Sequence, residues 1–343
     1  MKLKELAQKL SINFQGNGEL EIKGIKDTNL LATSKPVKDY LYFVETKKIL
    51  KKYPPPQLAN DTLVLTTTSL KENFIDALIV DNEESRLIFI ELLKLYDTRT
   101  TATYENRNSS FISAKAQIGN NCNIMPMVTI LDGVKIGNNC KIYPGVVIEE
   151  NAIIGDNCIL YPNSVIGTNC ILGNYCILFG GAIIGADGFG YHDQDGKRYA
   201  VPQIGNVILE DYVEIGAGSS IDRATIESTI IGSNTKIDNQ VQIGHNCQVG
   251  KFVFIAGNAG ISGSVTLEDR VIIAGQAGLA DHVKVGEGAV VMALTGVNTD
   301  IQAKKIVFGI PARPIKEFAK INGAIPHLPE LLKRVRSLEE DNG

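Results

Sequence analysis

An aliphatic residue returns at every sixth position over most of this chain, and that period restricts the fold more than any other feature. The first series runs Ile112, Ile118, Ile124, Ile130, Ile136, Ile142, Ile148, Ile154, Leu160, Ile166, Leu172, Leu178, Ile184. It breaks over 186–206 (ADGFGYHDQDGKRYAVPQIGN) and recovers irregularly at Ile215 and Ile221. A second series runs Ile231, Ile237, Ile243, Val249, Ile255, Ile261, Leu267, Ile273, Leu279, Val285, Val291, Val297. Such a period matches neither the roughly 3.6-residue turn of a helix nor the roughly 2-residue alternation of a strand. It fits a short strand plus a turn, repeated.

The cysteines give the size of one coil. Cys122, Cys140, Cys158 and Cys176 recur at a constant spacing of three hexads. The spacing predicts a three-sided prism in which each residue lies one strand spacing, about 4.8 Å, above its equivalent three hexads earlier. The expected fold is therefore mostly β, a parallel β-helix of hexapeptide repeats. Identical aliphatics stack on one another inside it, so bulky rings are not needed. The composition agrees: there is no tryptophan, only 6% of residues are aromatic, and 33 are glycine. Glycine often follows the inward aliphatic, as at Gly119, Gly137, Gly155, Gly173 and Gly250, and is expected at the turns.

The β-helix is expected over 101–310, between two flanking parts. Residues 1–100 read as an α/β domain, with helices over 2–10 and 83–96 and strands over 41–44, 62–67 and 77–80. In the second helix Leu87, Ile90, Leu93 and Leu95 are apolar. A polar linker is expected over 97–110. Residues 311–343 read as a helical extension, with pieces over 314–321 and 328–340. The second piece carries Leu328, Leu331, Leu332, Val335 and Leu338 on one stripe.

Charge and hydropathy exclude several classes. The net charge of −4 gives no field that recruits nucleic acid. No apolar run reaches the roughly 18 residues of a membrane span. The opening MKLKELAQKL is amphipathic, unlike a secretory signal. The expected location is the cytoplasm, with reduced thiols. All six cysteines stand four places after a hexad aliphatic, in a slot that elsewhere holds Val128, Val146, Ala259 or Ala277. The slot points inward, where cysteine acts as a small hydrophobe, so no metal is expected. Asp193-x-Asp195-Gly196 begins like a calcium loop but lacks the remaining ligands.

A prism of stacked aliphatics has no reactive interior, so chemistry must sit on its outside, in its insertion or between subunits. Histidine is the side chain suited to acid–base work near neutral pH. His245 lies two places after Ile243, at a corner facing outward. Asp238 is seven places earlier, and the spacing predicts that its carboxylate holds the imidazole. His282 stands one place beyond six hexads from His245, close to two coils, so it shares the same face. Gly263 stands three hexads after His245, so its backbone lies one coil above. A base beside a backbone N–H is the core of a direct acyl-transfer site. Cys247 falls in a buried slot, which argues against a covalent acyl-enzyme.

The segments GADGFGYHDQDGKRYAVPQIG (185–205), IDR (221–223), IDNQVQIGHN (237–246) and FGIPARP (308–314) resemble the UDP-3-O-acylglucosamine N-acyltransferases of lipid A synthesis. The three-part layout resembles that family too: a uridine-binding domain, a left-handed parallel β-helix and a C-terminal helix. The resemblance implies a homotrimer with active sites in grooves between prisms. It implies acyl transfer from acyl carrier protein to the 2-amine of a UDP-3-O-acyl-glucosamine. It implies His245 as general base, Asp238 beside it, Gly263 as oxyanion donor and His282 as a substrate-binding histidine. Gly188 and Phe189 of GADGFG would help line the substrate and pantetheine groove. No resident cofactor is implied, because the phosphopantetheine thioester of the carrier protein is a co-substrate.

The N-terminal domain departs from the family pattern Phe-x-x-Asn-x-x-Tyr, whose rings sandwich uracil. Phe43 is present, Thr46 stands at the Asn position and Ile49 at the Tyr position. Tyr42 or Tyr53 is then the candidate second ring. Lys304, Lys305, Arg313, Lys316 and Lys320 form a basic cluster that suits an acidic carrier protein, or a merely solvated surface. Two alternatives stand beside the main reading. One is another hexapeptide acyltransferase, acting by UDP-sugar O-acyl or acetyl-CoA-dependent N-acetyl transfer. The other is a non-catalytic β-helix that binds sugar or serves as a scaffold.

Overall fold

The computed structural model describes residues 1–26, 28, 39–47, 51, 62–96 and 109–341. Most of the expected linker, together with Ile49 and Tyr53, lies outside the described residues. The chain divides into two compact units, Met1–Ala102 and Thr103–Gly343.

The first unit is built on a five-stranded sheet in the order Asn13–Gln15, Asp76–Val80, Leu63–Thr67, Tyr40–Val44, Gly24–Lys26. The first pair is antiparallel and the rest are parallel. The central strand, Leu63–Thr67, is buried along its whole length, as a parallel strand covered on both faces must be. Helix Leu3–Lys9 buries Leu3, Leu6 and Ala7. Helix Ser85–Tyr96 packs through Ile88, Phe89, Leu92 and Tyr96. Leu87, Ile90, Leu93 and Leu95 of that helix are exposed, because the core-facing residues recur at three- and four-residue steps from Ser85.

In the second unit nearly every hexad becomes a two-residue strand, and the strands stack into three sheets of 9, 10 and 11 strands. All pairs between coils are parallel; the antiparallel pairs are the insertion hairpin Tyr191–Gln194 with Lys197–Ala200 and the last strand, Arg313–Pro314. The register is three hexads wherever the repeat is regular, as at Ile136↔Ile154 and Leu160↔Leu178. One continuous core of Ile, Leu and Val fills the prism, with Cys140, Cys158, Cys170, Cys176 and Cys247 buried in it. The series resumes at Leu209, before Ile215, since Leu172 pairs directly with Leu209. That coil is about twice the regular length, and the excess is the larger insertion of the β-helix. The next irregularity follows Ile221, which pairs with Ile243 across three hexads plus four extra positions. Near the end Val291 pairs with Val307, two positions short of three hexads.

The glycines after the inward aliphatics are not the turn residues. The left-handed corner falls two places later and is more often Asn than any other residue, with φ of 58° at Asn121, Asn139 and Asn157. Asn tolerates this region because its short amide bonds locally. The glycines serve close stacking instead. A Cβ on Gly119 would lie 2.6 Å from the Gly137 carbonyl, and one on Gly137 would lie 2.7 Å from Gly155.

Between these two positions an Asx ladder climbs the corner. The N–H of Asn120 donates to Asn138 Oδ1 at 2.8 Å, Asn138 to Asp156 at 2.6 Å, Asp156 to Asn174 at 2.8 Å, and Asn174 to Asp211 at 2.7 Å. Each coil thus caps the backbone of the coil before it.

The cysteine slot is buried, and it also has a polar role. The Cys140 and Cys158 thiols donate to the carbonyls of Gly155 and Gly173, each at 3.2 Å. Thr235 fills the same slot and donates to Gly250 O at 2.9 Å. Small hydroxyls and thiols are interchangeable here because both fit inside and both can reach a turn carbonyl of the next coil. After Arg313–Pro314 come helices Ile315–Ala324 and Leu328–Asp341. The leucine stripe of the last helix is exposed in the single chain. Among the described residues no helix is long and apolar enough to cross a membrane.

Candidate active site

The Asx ladder climbs another corner of the prism and does not extend to the one that follows strands Gln242–Ile243 and Gly260–Ile261. Two places after the aliphatic, three successive coils carry His245, Gly263 and Asp281. Gly263 has no side chain to cap the His245 N–H, and among the described residues the Asp281 side chain does not take the Gly263 N–H. Among the described residues nothing accepts the Gly263 N–H, whereas the equivalent N–H groups of Lys251 and Gly257 are bonded to Asp269 and Asp238.

The imidazole of His245 fills the space that this glycine leaves. A Cβ on Gly263 would stand 2.8 Å from Nε2 and Cε1 of His245. On the other side, a Cβ on Gly188 would stand 2.7 Å from the His245 Cβ and 3.0 Å from Cδ2. The ring therefore lies in a slot between two glycines, one from the adjacent coil and one from the larger insertion. The Nδ1 of His245 lies 3.0 Å from Asn246 Oδ1.

A groove of about 1020 Å³ opens at this corner, and His245, Gly263, Gly188, Phe189 and His282 all line it. His282 is exposed and its backbone N–H bonds Gly263 O at 3.1 Å, two coils above His245. Phe189 is 86% exposed and meets Tyr191 edge-on at 5.1 Å. The entry to the insertion is held by Arg223, which donates to Gly185 O at 2.9 Å and pairs with Asp187 at 3.6 Å. Gly185 itself needs its freedom, with φ of 92°. Arg223 thus accounts for part of the IDR segment.

Within one chain the carboxylates that line the His245 groove are Asp187, Asp222 and Asp281, not Asp238 as the spacing predicts. Asp238 does not reach His245. It sits at the previous corner, where its Oδ2 accepts the Gly257 N–H at 3.1 Å. There it lines a separate groove of about 420 Å³ with Phe179, Lys236 and Phe254. The stretch between Asp238 and His245 crosses a full side of the prism, strand Gln242–Ile243. Asp222 occupies the His245 groove instead, 8% exposed. Burial raises its pKa above the ordinary aspartate value, partly offset by Gln242 and by the His245 charge. Sequence reasoning missed Asn246 and Asp222 as site residues, although both fall within the family-like segments. Their signal was the four-residue excess between Ile221 and Ile231, which brings a loop against the His245 corner.

In the first unit Phe43 is half-buried and stacks on Phe89 at 4.3 Å with an interplanar angle of 7°. Its ring partner is thus from helix Ser85–Tyr96. Tyr42 is 1% exposed and points into the core, so it does not supply that ring. Thr46 is exposed. Lys304, Lys305, Arg313, Lys316 and Lys320 are all exposed, and Arg313 pairs with Glu317 at 3.0 Å. Among the described residues no three His, Cys, Asp or Glu side chains converge as a metal-holding set. Burial pushes the Cys247 thiol up to about 12, so it is no nucleophile at neutral pH.

A repeat prism with a histidine corner groove defines a class, the hexapeptide-repeat transferases. Residues 115–150, 151–186 and 228–263 match the bacterial transferase hexapeptide model of six repeats. A UDP-N-acetylglucosamine acyltransferase of Francisella novicida shares the fold, with a TM-score of 0.50 and 24% identity over 63% of this chain and 73% of that one.

The particular family follows from closer relatives. A UDP-3-O-acylglucosamine N-acyltransferase of Campylobacter lari is 40% identical over 326 residues, 95% of this chain and 97% of that one. One of Campylobacter jejuni subsp. doylei is 47% identical over 141 residues, 41% of this chain and 44% of that one. The chain belongs to the family of UDP-3-O-acylglucosamine N-acyltransferases, and is an acyltransferase.

Proposed function

We propose that the protein transfers a 3-hydroxyacyl chain from acyl carrier protein to the 2-amine of a UDP-3-O-acyl-glucosamine, in lipid A synthesis. The observation that carries this reading is the His245 imidazole standing over Gly263, whose N–H lacks a partner among the described residues. The amine nitrogen attacks the thioester carbon. A C–N bond forms as the C–S bond breaks, with no acyl-enzyme. Nε2 of His245 takes the proton from the nitrogen and returns it to the departing pantetheine thiolate. The Gly263 N–H donates to the carbonyl oxygen while it carries charge. His282, Gly188 and Phe189 hold substrate and pantetheine along the groove. Phe43 holds the uridine, with Phe89 at its back and Thr46 nearby. No resident cofactor is needed, since the thioester arrives with the carrier protein, and the basic residues from Lys304 to Lys320 suit that acidic partner.

The working unit in this reading is a homotrimer. The Asp238 corner and the His245 corner flank one side of the prism, so a three-fold ring brings the first corner of one copy to the second corner of the next. Asp238 then serves the site across the subunit boundary.

One set of variants tests both statements. His245→Ala should abolish transfer, read by mass spectrometry, while leaving the oligomer and donor binding intact. Trimers assembled from mixed His245→Ala and Asp238→Ala chains should regain part of the activity that each variant lacks alone. Near-normal transfer by His245→Ala would sink the base assignment, and absence of complementation would sink the shared site.

A further inference from the structure

We propose that Asn246 sets the tautomer of His245, keeping the proton on Nδ1 and the lone pair of Nε2 directed at the groove; this rests on the reading of His245 as the base. An asparagine amide and a histidine ring are each ambiguous alone. Here the surrounding backbone removes the ambiguity. Asn246 Oδ1 lies 3.0 Å from the N–H of Thr225, and a backbone N–H can only donate. Asn246 Nδ2 lies 3.1 Å from the carbonyl of Ile226, and a carbonyl can only accept. The amide therefore has one orientation, with oxygen toward His245. The atom 3.0 Å from Nδ1 is an acceptor, so Nδ1 must carry hydrogen. Nε2 is left free as the basic nitrogen, and with Cε1 it forms the ring edge that faces Gly263.

The backbone that pins Asn246 exists only because the repeat is interrupted. Thr225 and Ile226 belong to the four-residue excess between Ile221 and Ile231. The same loop ties to the larger insertion, since Thr225 Oγ1 donates to Gln203 Oε1 at 2.9 Å and Gln203 is 8% exposed. Gln203 Nε2 in turn donates to Val201 O at 2.9 Å. The Asn246 N–H is held by Thr229 Oγ1 at 2.9 Å. The larger insertion and the four-residue excess are thus tied together beside the Asn246 amide. The charged and titratable side chains lining the groove around His245 are Asp187, Tyr191, Asp222, Asp281 and His282. None of them is hydrogen-bonded to Nδ1 among the described residues.

The test is nitrogen NMR of the full-length protein with 15N-labelled histidine, of which there are four, with His245 assigned by its loss in His245→Ala. At pH 8.5 the wild type should show Nδ1 protonated and Nε2 bare. Asn246→Ala should move His245 toward the other tautomer and lower kcat about 100-fold, with the acceptor KM changed less than about threefold. Asn246→Asp restores an acceptor, so it should recover the Nδ1–H form, retain more activity than the alanine variant, and move the acidic limb of the kcat/KM profile to higher pH. A wild-type His245 protonated on Nε2 overturns the proposal without any variant. So does an unchanged tautomer and kcat in a folded Asn246→Ala protein. If His245→Ala keeps full activity, the base reading fails instead, while the wild-type spectrum still decides the tautomer.

Discussion

Gly263→Ala is a small change with a large expected effect, because the methyl would enter the space of the His245 ring. The new Cβ would lie 2.8 Å from Nε2 and Cε1 of His245, where ordinary contact begins at 3.4 Å. The ring must retreat by roughly 0.6 Å along that line, yet Gly188 closes the opposite side. It therefore tilts out of its slot, and Nε2 is displaced from the position it takes in the proposed proton transfer. A misplacement approaching 1 Å costs up to about 100-fold, so a loss of 10- to 100-fold in kcat is expected, about 1.4–2.7 kcal/mol of barrier. The fold should be spared, since the Gly263 backbone lies outside the left-handed region and alanine can adopt it. The assay is steady-state transfer from acyl carrier protein, paired with a melting curve. A thermodynamic cycle isolates the cause. In a His245→Ala background the same substitution should cost less than about twofold, because there is no ring to displace. If Gly263→Ala keeps kcat within about twofold of wild type, the steric argument is wrong.

Two further substitutions probe the scaffold. Thr235→Val strands the Gly250 carbonyl and the Val253 N–H, both bonded to the hydroxyl, at 2.9 and 3.1 Å. The expected loss is about 2–3 kcal/mol in denaturant unfolding, and Thr235→Cys should recover most of it by placing a thiol in the slot. Asp222→Asn concerns pH. Burial raises the native pKa of Asp222, so its neutral form is favoured by folding. That contribution is complete below the unfolded value of 3.8 and is lost as pH rises through the raised native value. Asp222→Asn should therefore melt higher than wild type at pH 7, with the difference closing by pH 3; a constant difference across that range would contradict the burial argument.

The repeat was legible because its cause is local and recurrent. Each hexad aliphatic meets its own copy one coil away, so spacing alone predicts the three-hexad register. His245 and Gly263 could be paired from that register before any coordinates. Asp238 could not be placed, because a linear count along the chain does not reveal that a whole prism side intervenes. Asn246 was hidden for a different reason. Asn is the commonest residue at these corners, so nothing in its type distinguishes it from Asn139 or Asn157. Its distinct role comes from Thr225 and Ile226, in a loop whose path the period does not encode. The glycines were assigned to turns by their usual preference, yet most are there to let one coil pass close over another. Phe89 was invisible as the companion of Phe43, since the contact joins a strand and a helix distant in sequence.

The uninterrupted coils before the insertion have a consequence for evolution and engineering. His245 follows the seventh strand of its sheet, counting from Phe111–Ile112. The axial distance from the base of the prism to the reacting groove is then about six strand spacings, or roughly 29 Å. It changes only in whole steps of roughly 4.8 Å, because a coil must be gained or lost entire to keep the aliphatics inward. Excising 135–152 would shorten this stretch by one step and set Ile159 onto Asn123 in place of Lys141, with every inward side chain still facing inward. The β-helix is in this sense a graduated rod, and chain length in this segment sets reach while leaving the chemistry of the corner alone.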